Sequence, residues 1–439
     1  MHRSAIRAGR AAWLARGADV VAGTLFAYLV WRMFFDANEQ LQAAGALVGI
    51  AGLAAAAIAR RAIRTPIDLP VLAYLALCVL STEVNAARFE PPPHMTVWQP
   101  TLLTCALVLY YYGASAWLAR SARLAFASAA LVAAIAGIGI AADYDYLTQS
   151  VAWRRMGAYP SVGQWSGYPQ IGLLLTIALA MPLALMMAAR RRAALVAGGI
   201  LVLILAGDLI AINSRSALVV GGGLYAAFAA AEVLRFRRWR LAALAGVPAI
   251  CFTLFVMSDT ASGGAVRYWF QTRLYLQYMT ASGPTESLAT GLGRFSIWRH
   301  AGELIRENPW LGVGPSKYSA AFRRHFAGQA LPGGEDAHAH NSTIHIATET
   351  GIPSALAFLA IWAIMLWRLT RAWPRDGFVV VVAGVTGALL AYFLRSFSDH
   401  FPASSLISST RVSFLMWTLL AMGAAALRVV DRGGAAAHG

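Results

Sequence analysis

The sequence predicts an all-α polytopic membrane protein of about twelve transmembrane helices, with a large, partly helical loop between the ninth and tenth. Three observations carry that expectation. The 439 residues are 59% hydrophobic and only 13% charged, with a mean hydropathy of +0.58, a balance foreign to soluble domains of this length. Apolar runs long enough to cross a bilayer recur along the chain. Short arginine-rich loops alternate with longer mixed ones. Strands of alternating hydrophobicity are missing, which argues against a β-barrel.

The apolar runs fall near 19–35, 41–59, 68–84, 98–118, 122–142, 168–189, 194–212, 216–234, 240–258, 351–370, 377–395 and 405–428. The first follows Arg3, Arg7, Arg10 and Arg16 but has no small-residue cleavage site behind it, since Ala55 to Ala57 lie deep in the second run. It therefore reads as a retained helix rather than a signal peptide. Cys78, Cys105 and Cys251 all fall inside predicted spans, as small packing residues and not as disulfide or nucleophile candidates. The chain divides into residues 1–258 (nine spans), 259–350 (the large loop) and 351–439 (three spans and a short tail).

The net charge of +16 does not point to nucleic acid, because of how it is distributed. The basic residues cluster in alternate short loops: Arg60, Arg61 and Arg64; Arg120 and Arg123; Arg190 to Arg192; Arg235 to Arg240; Arg368, Arg371 and Arg375. That is the positive-inside pattern, and it makes both termini cytoplasmic, with Arg428 and Arg432 beside the last span. Topology and contact with anionic lipid explain these arginines. The opposite loops span Asp36 to Gln40, 83–97, 143–167 and 259–350. No cytoplasmic segment is large enough for a nucleotide-binding domain. Gly312-Val-Gly314-Pro-Ser-Lys317 is glycine-rich but lacks the spacing and strand context of a P-loop. Energy must come from an activated substrate or a gradient.

Topology leaves the arginines of the outer side unexplained. Arg215 follows Asn213-Ser214 in a tight turn between two spans. A guanidinium there either snorkels to headgroups or clamps an anion, which it matches bidentately at any working pH. Arg294, in Gly293-Arg294-Phe295-Ser296-Ile297-Trp298, is a second candidate. Arg154, Arg155, Arg267 and Arg273 are weaker ones. Arg411, in the outer half of the last span, should pair with Asp399 or bind a ligand.

The most polar stretch is His338-Ala-His340-Asn341-Ser-Thr-Ile-His345-Ile-Ala-Thr-Glu349-Thr-Gly351, at the loop's end. Its histidines do not follow a helical zinc spacing, and His345 and Glu349, at i and i+4, form a local pair. A histidine at a membrane edge suits general-base work near neutral pH. A serine nucleophile is disfavoured because no Gly-x-Ser-x-Gly elbow is present. Asp143-Tyr-Asp145 is a weak divalent-metal candidate.

These motifs resemble the O-antigen ligase and polymerase superfamily of bacterial inner-membrane glycosyltransferases. His340-Asn341, nine residues and then Gly351 is similar to the ligase pattern, whose last position, usually Gly, Thr or Val, is Ser354 here. Ser214-Arg215-Ser216 sits at the turn where the family places an arginine. Gly293-Arg294 to Trp298 resembles the start of the large loop's helix, and Glu307-Asn308-Pro309-Trp310-Leu-Gly312-Val-Gly314-Pro resembles the family's ENPxxGxG run. The resemblance lies in the second half of the chain.

The resemblance implies a GT-C-like membrane enzyme with a periplasmic active site. Its donor is an O-antigen glycan on undecaprenyl pyrophosphate, and its acceptor a hydroxyl of lipid A–core. Its cofactor set is empty, with neither ATP nor metal, and its partners are these two amphiphiles and membrane lipid. His340 is the implied general base, with His338 as rival, and Arg215 and Arg294 hold the pyrophosphate. Asn341, Lys317, Tyr318, Trp298 and Arg411 are candidate substrate-binding residues. Polymerase and protein O-oligosaccharyltransferase share the motifs. The latter ranks lower because its members often carry extra C-terminal sequence. A glycolipid transporter, from another class, would show paired ionisable groups at mid-membrane, where Asp208 is the one acid well inside a span.

Overall fold

The computed structural model describes residues 13, 17, 19–32, 41–58, 63–90, 96–148, 161–162, 165–212, 215–242, 291–326, 338–373, 378–397 and 410–437. Side chains at several helix ends, including Asp143, Asp145, Arg215 and Arg294, lie outside that description, as do Arg154, Arg155, Arg267, Arg273, Cys251, Asp399 and nearly all of the expected ninth span.

The chain is an all-α polytopic membrane protein. Helix α1 covers 19–32. It is followed by α2 (Leu41–Ile58), α3 (Asp68–Val84), α4 (Gln99–Leu118) and α5 (Ser121–Thr148). After α5 come two-residue strands, β1 (Ser161–Val162) and β2 (Trp165–Ser166), paired antiparallel. The sequence gives no sign of this small hairpin, because two residues are too few to show a period. Then follow α6 (Gly167–Ala188), α7 (Arg192–Ile212) and α8 (Arg215–Phe236). The described part of the large loop holds α9 (Gly291–Glu307), α10 (Tyr318–His325) and α11 (Ser342–Thr350). The last three spans are α12 (Ile352–Arg371), α13 (Val379–Ser396) and α14 (Thr410–Ala437). Among the described residues, eight helices are long and apolar enough to cross a membrane, and α2 and α3 coincide with two further expected runs.

Helices α6, α13 and α14 are mostly buried and make the centre of the bundle, while α7 lies largely exposed at its edge. Lipid tails are as apolar as leucine, so helices here associate through close packing and internal hydrogen bonds. Helices α2 and α4 meet backbone to backbone. A Cβ on Gly52 would stand 2.3 Å from the Gly113 carbonyl oxygen, and one on Gly113 2.2 Å from that of Gly49. Buried hydroxyls add polar ties, such as Tyr110 to Thr418 at 2.7 Å and Thr82 to Thr101 at 2.5 Å.

The arginine-rich face is held by its own cations. Arg428 donates to the carbonyls of Ile63 and Arg64, and Arg432 to that of Ala119, just past the end of α4. Arg235 caps the end of α12 through Thr370 and Trp373. Arg240 caps α6 through Ala189 and Met187 and pairs with the buried Glu232 at 3.2 Å. The guanidiniums of Arg235, Arg240 and Arg432 meet the negative ends of helix dipoles, while Arg428 ties down the segment before α3.

The opposite face carries a compact extramembrane unit. Residues Ala301, Leu304, Val313, Tyr318, Ala321, Phe322 and Phe326 form its own small core, with Phe89 and Ile344 packed against it. Its centre is the run 308–314, folded around the C-terminus of α11. The Val313 and Gly314 amides donate to the Thr348 and Glu349 carbonyls at 3.0 and 2.8 Å, and the Ile352 amide donates to Pro309 at 2.8 Å. Gly312, Gly314 and Gly351 have φ of +61°, +105° and +91°. A Cβ on Gly351 would stand 2.1 Å from the Trp310 carbonyl oxygen. Left-handed strain and steric overlap together make Gly351→Ala cost roughly 3 kcal/mol. Gly302 lies inside α9, where a Cβ would meet nothing within 4 Å. The same change there gains up to about 1 kcal/mol. Thermal unfolding in detergent should separate the two variants in opposite directions from wild type.

Candidate active site

Helix α11 positions the histidine stretch. Asn341 is its N-cap, extended at φ −158° and ψ 116°, and its side-chain oxygen accepts the Ile344 amide at 3.0 Å. The amide nitrogen of the same side chain donates to the Phe397 carbonyl at the end of α13, at 3.2 Å. Both ends of this group are therefore occupied by protein. Asn341 orients the stretch by tying it to a span.

His340 precedes the cap in the left-handed region at φ 48°, a conformation that costs a non-glycine residue energy and is concentrated at functional sites. That turn brings the rings of His338 and His340 to 4.3 Å between centroids. Both rings are half-buried, while Ala339 between them is buried. The Ala339 carbonyl accepts the Trp298 indole N–H at 2.8 Å. Trp298 lies one helical turn beyond Arg294 in α9, so the two share a face of that helix.

A third tie reaches the first arginine. Arg395, fully buried near the end of α13, donates to the Ser216 hydroxyl. Ser216 adjoins Arg215 at the start of α8. The backbones carrying Arg215, Arg294, His338 and His340 are thus linked by Arg395–Ser216, Asn341–Phe397 and Trp298–Ala339, although they are distant in sequence.

A family model described as O-Antigen ligase matches residues 200–359. Across those residues the chain is similar to the O-antigen ligase family. The matched segment runs from α7 into α12 and contains Arg215, Arg294, the glycine loop, His338, His340 and Gly351. No curated protein matches the chain. Members of this superfamily are glycosyltransferase-like ligases and polymerases, which implies lipid-linked polysaccharide as a partner.

The remaining candidate residues lie elsewhere, in the extramembrane unit or, for Arg411, in a span. Lys317 is 1% exposed, and its ammonium donates to the Asn85 and Ala86 carbonyls at 2.5 and 3.3 Å. Burial lowers its pKa from the ordinary lysine value. Its sequence suggested a sugar contact, but the side chain is spent as a latch on the end of α3. Tyr318 is buried, its ring 5.4 Å from that of His345, and burial, with the nearby Glu349 charge, raises its pKa. His345 and Glu349 form the expected local pair at 3.3 Å, with the Tyr318 amide also on Glu349 at 3.3 Å. Arg411 is buried in the first turn of α14. Among the described residues, His, Cys, Asp and Glu side chains nowhere gather in groups of three or more suited to a metal.

Arg395 escaped the sequence reading. The signal was available, since an arginine at the loop-side end of a span breaks the positive-inside pattern just as Arg215 does. The double use of Asn341 yields a stability prediction. Asn341→Ser keeps a capping oxygen but is too short to reach Phe397, and should lose about 1 kcal/mol. Asn341→Ala loses both ties and about 2 kcal/mol. Equal unfolding midpoints for the two variants would show that the cap contributes nothing.

Proposed function

We propose that the protein is an O-antigen ligase of the bacterial inner membrane. It would move O-antigen polysaccharide from undecaprenyl pyrophosphate to a hydroxyl of lipid A–core at the periplasmic face, with both termini cytoplasmic. The observation that carries the reading is the convergence, through Trp298, Asn341 and Arg395, of a histidine pair with the elements bearing Arg215 and Arg294.

In the proposed step the acceptor oxygen attacks the anomeric carbon as the bond from that carbon to the pyrophosphate oxygen breaks. His340 takes the hydroxyl proton. Undecaprenyl pyrophosphate leaves with the electron pair, and Arg215 and Arg294 stabilise the charge that grows on it. A single in-line displacement inverts the anomeric centre. The strained backbone at His340 and the anchored carbonyl of Ala339 support a fixed imidazole, which is what general-base catalysis requires. The half-buried His338 ring packs against it and serves as its neighbour rather than as the base.

Purified protein given undecaprenyl-pyrophosphate glycan and lipid A–core, in EDTA and without ATP, should form the ligated product with inverted anomeric configuration by NMR. Chain growth without lipid A–core would favour a polymerase instead, and loss of activity in EDTA would revive Asp143 and Asp145 as metal ligands. Removing the base with His340→Ala should lower turnover by about 10²–10⁴-fold, and Arg215→Ala should do at least as much harm. His338→Ala should keep most of the activity. The opposite order for the two histidines would transfer the base role to His338.

A further inference from the structure

A pair of arginines on the extramembrane unit has no part in the proposed chemistry, and the fold uses only part of their donor capacity. Arg88 lies three residues past the C-cap of α3, and Arg324 lies in the last turn of α10. Both guanidiniums sit over the ring of Phe89, at 5.4 and 5.6 Å from its centroid. Arg324 also donates to the Arg88 carbonyl at 3.1 Å, and Arg88 to the Asn308 side chain at 2.5 Å. Both residues are exposed.

Two like charges held side by side repel each other, and no acid among the described residues relieves them. Glu307 is paired with His325 at 3.3 Å. Glu83, exposed in the last turn of α3, and Glu90, exposed on the loop after it, form no ion pair with either arginine among the described residues. An exposed cation–π contact contributes only about 0.5–1 kcal/mol. The loop does not need the pair for anchorage either, because Lys317 latches Asn85 and Ala86 and Phe89 packs on the small core. What the arrangement does provide is two guanidiniums with pre-set stems, each with donors to spare, the chemistry that recognises phosphate.

Its depth narrows the ligand. Arg88 is within one turn of the end of a span. Trp310, 74% exposed, follows the Asn308 to which Arg88 is bonded, and exposed tryptophans mark the headgroup level of a bilayer. We propose that Arg88 and Arg324 form a binding site for the phosphate of a membrane amphiphile's headgroup, beside the histidine site on the same small core. The site binds phosphate borne by the acceptor glycolipid or by an anionic phospholipid, and it does not depend on the assignment of His340.

The test is lipid retention by the full chain, purified in neutral detergent and followed by native mass spectrometry. The probes are phosphorylated lipid A, the same lipid stripped of phosphate, and phosphatidylglycerol. Wild type should retain phosphorylated lipid A and release the stripped form. Removing two charge-assisted contacts in Arg88→Gln/Arg324→Gln should weaken retention by about tenfold or more. Preference for lipid A over phosphatidylglycerol would identify the glycolipid as source, and the reverse preference the phospholipid. Arg324→Gln alone, which leaves the Arg88–Asn308 bond, should show a smaller loss and serves if the double variant does not fold. His340→Ala should bind as wild type does, so binding is read even where transfer is absent. Equal retention of phosphorylated and stripped lipid, or of one lipid by wild type and a folded variant, overturns the site.

Discussion

The capping of a nine-residue helix is the constraint on which the loop face depends. An isolated helix as short as α11 is not stable in water, and the last carbonyls of any helix need partners. Here the Thr348 and Glu349 carbonyls receive the Val313 and Gly314 amides, and the Ser81 hydroxyl of α3 reaches both Leu311 and Glu349. Such close approach demands glycine at 312 and 351, where a Cβ would run into backbone. The helix that presents the histidines is therefore held from below by a loop that is itself fastened to a transmembrane helix.

The other end of α11 is held differently. Asn341 uses one side chain to close the helix and to reach Phe397 on α13, while Trp298 fixes the carbonyl between the histidines. Flexible loops rarely keep a catalytic group within the tolerance its chemistry needs. This stretch avoids that difficulty because both its flanks are tied to helices: α9, which carries Arg294, and α13, whose Arg395 reaches Ser216 beside Arg215.

Arginine does three jobs in this molecule. On one face it holds carbonyls, Arg235, Arg240 and Arg432 at helix ends and Arg428 in the segment before α3. At the bundle's loop-side end Arg395 is fully buried against Ser216, where a guanidinium is costly unless paired. On the extramembrane unit Arg88 and Arg324 stay exposed on one aromatic ring. Only position relative to the membrane and to neighbouring carbonyls distinguishes these uses.

The sequence by itself determined the spans, their alternation, and the residue types of the histidine stretch, because hydropathy and charge along a helix are local properties that a bilayer reads directly. Runs such as 68–84 and 351–370 fall within a residue or two of the helices observed. Which polar residues face a site and which are consumed by the fold was decided by tertiary structure alone. Lys317 looked like a substrate contact until the carbonyls of Asn85 and Ala86, far away in sequence, took its ammonium. Asn341 was open as a substrate contact or as a residue that orients the loop, and the bonds of its amide to Ile344 and Phe397 are those of a loop-orienting residue. Hydrogen bonds between distant segments leave no period in a sequence, so the assembly of α8, α9, α11 and α13 around His338 and His340 became visible only when the chain was folded.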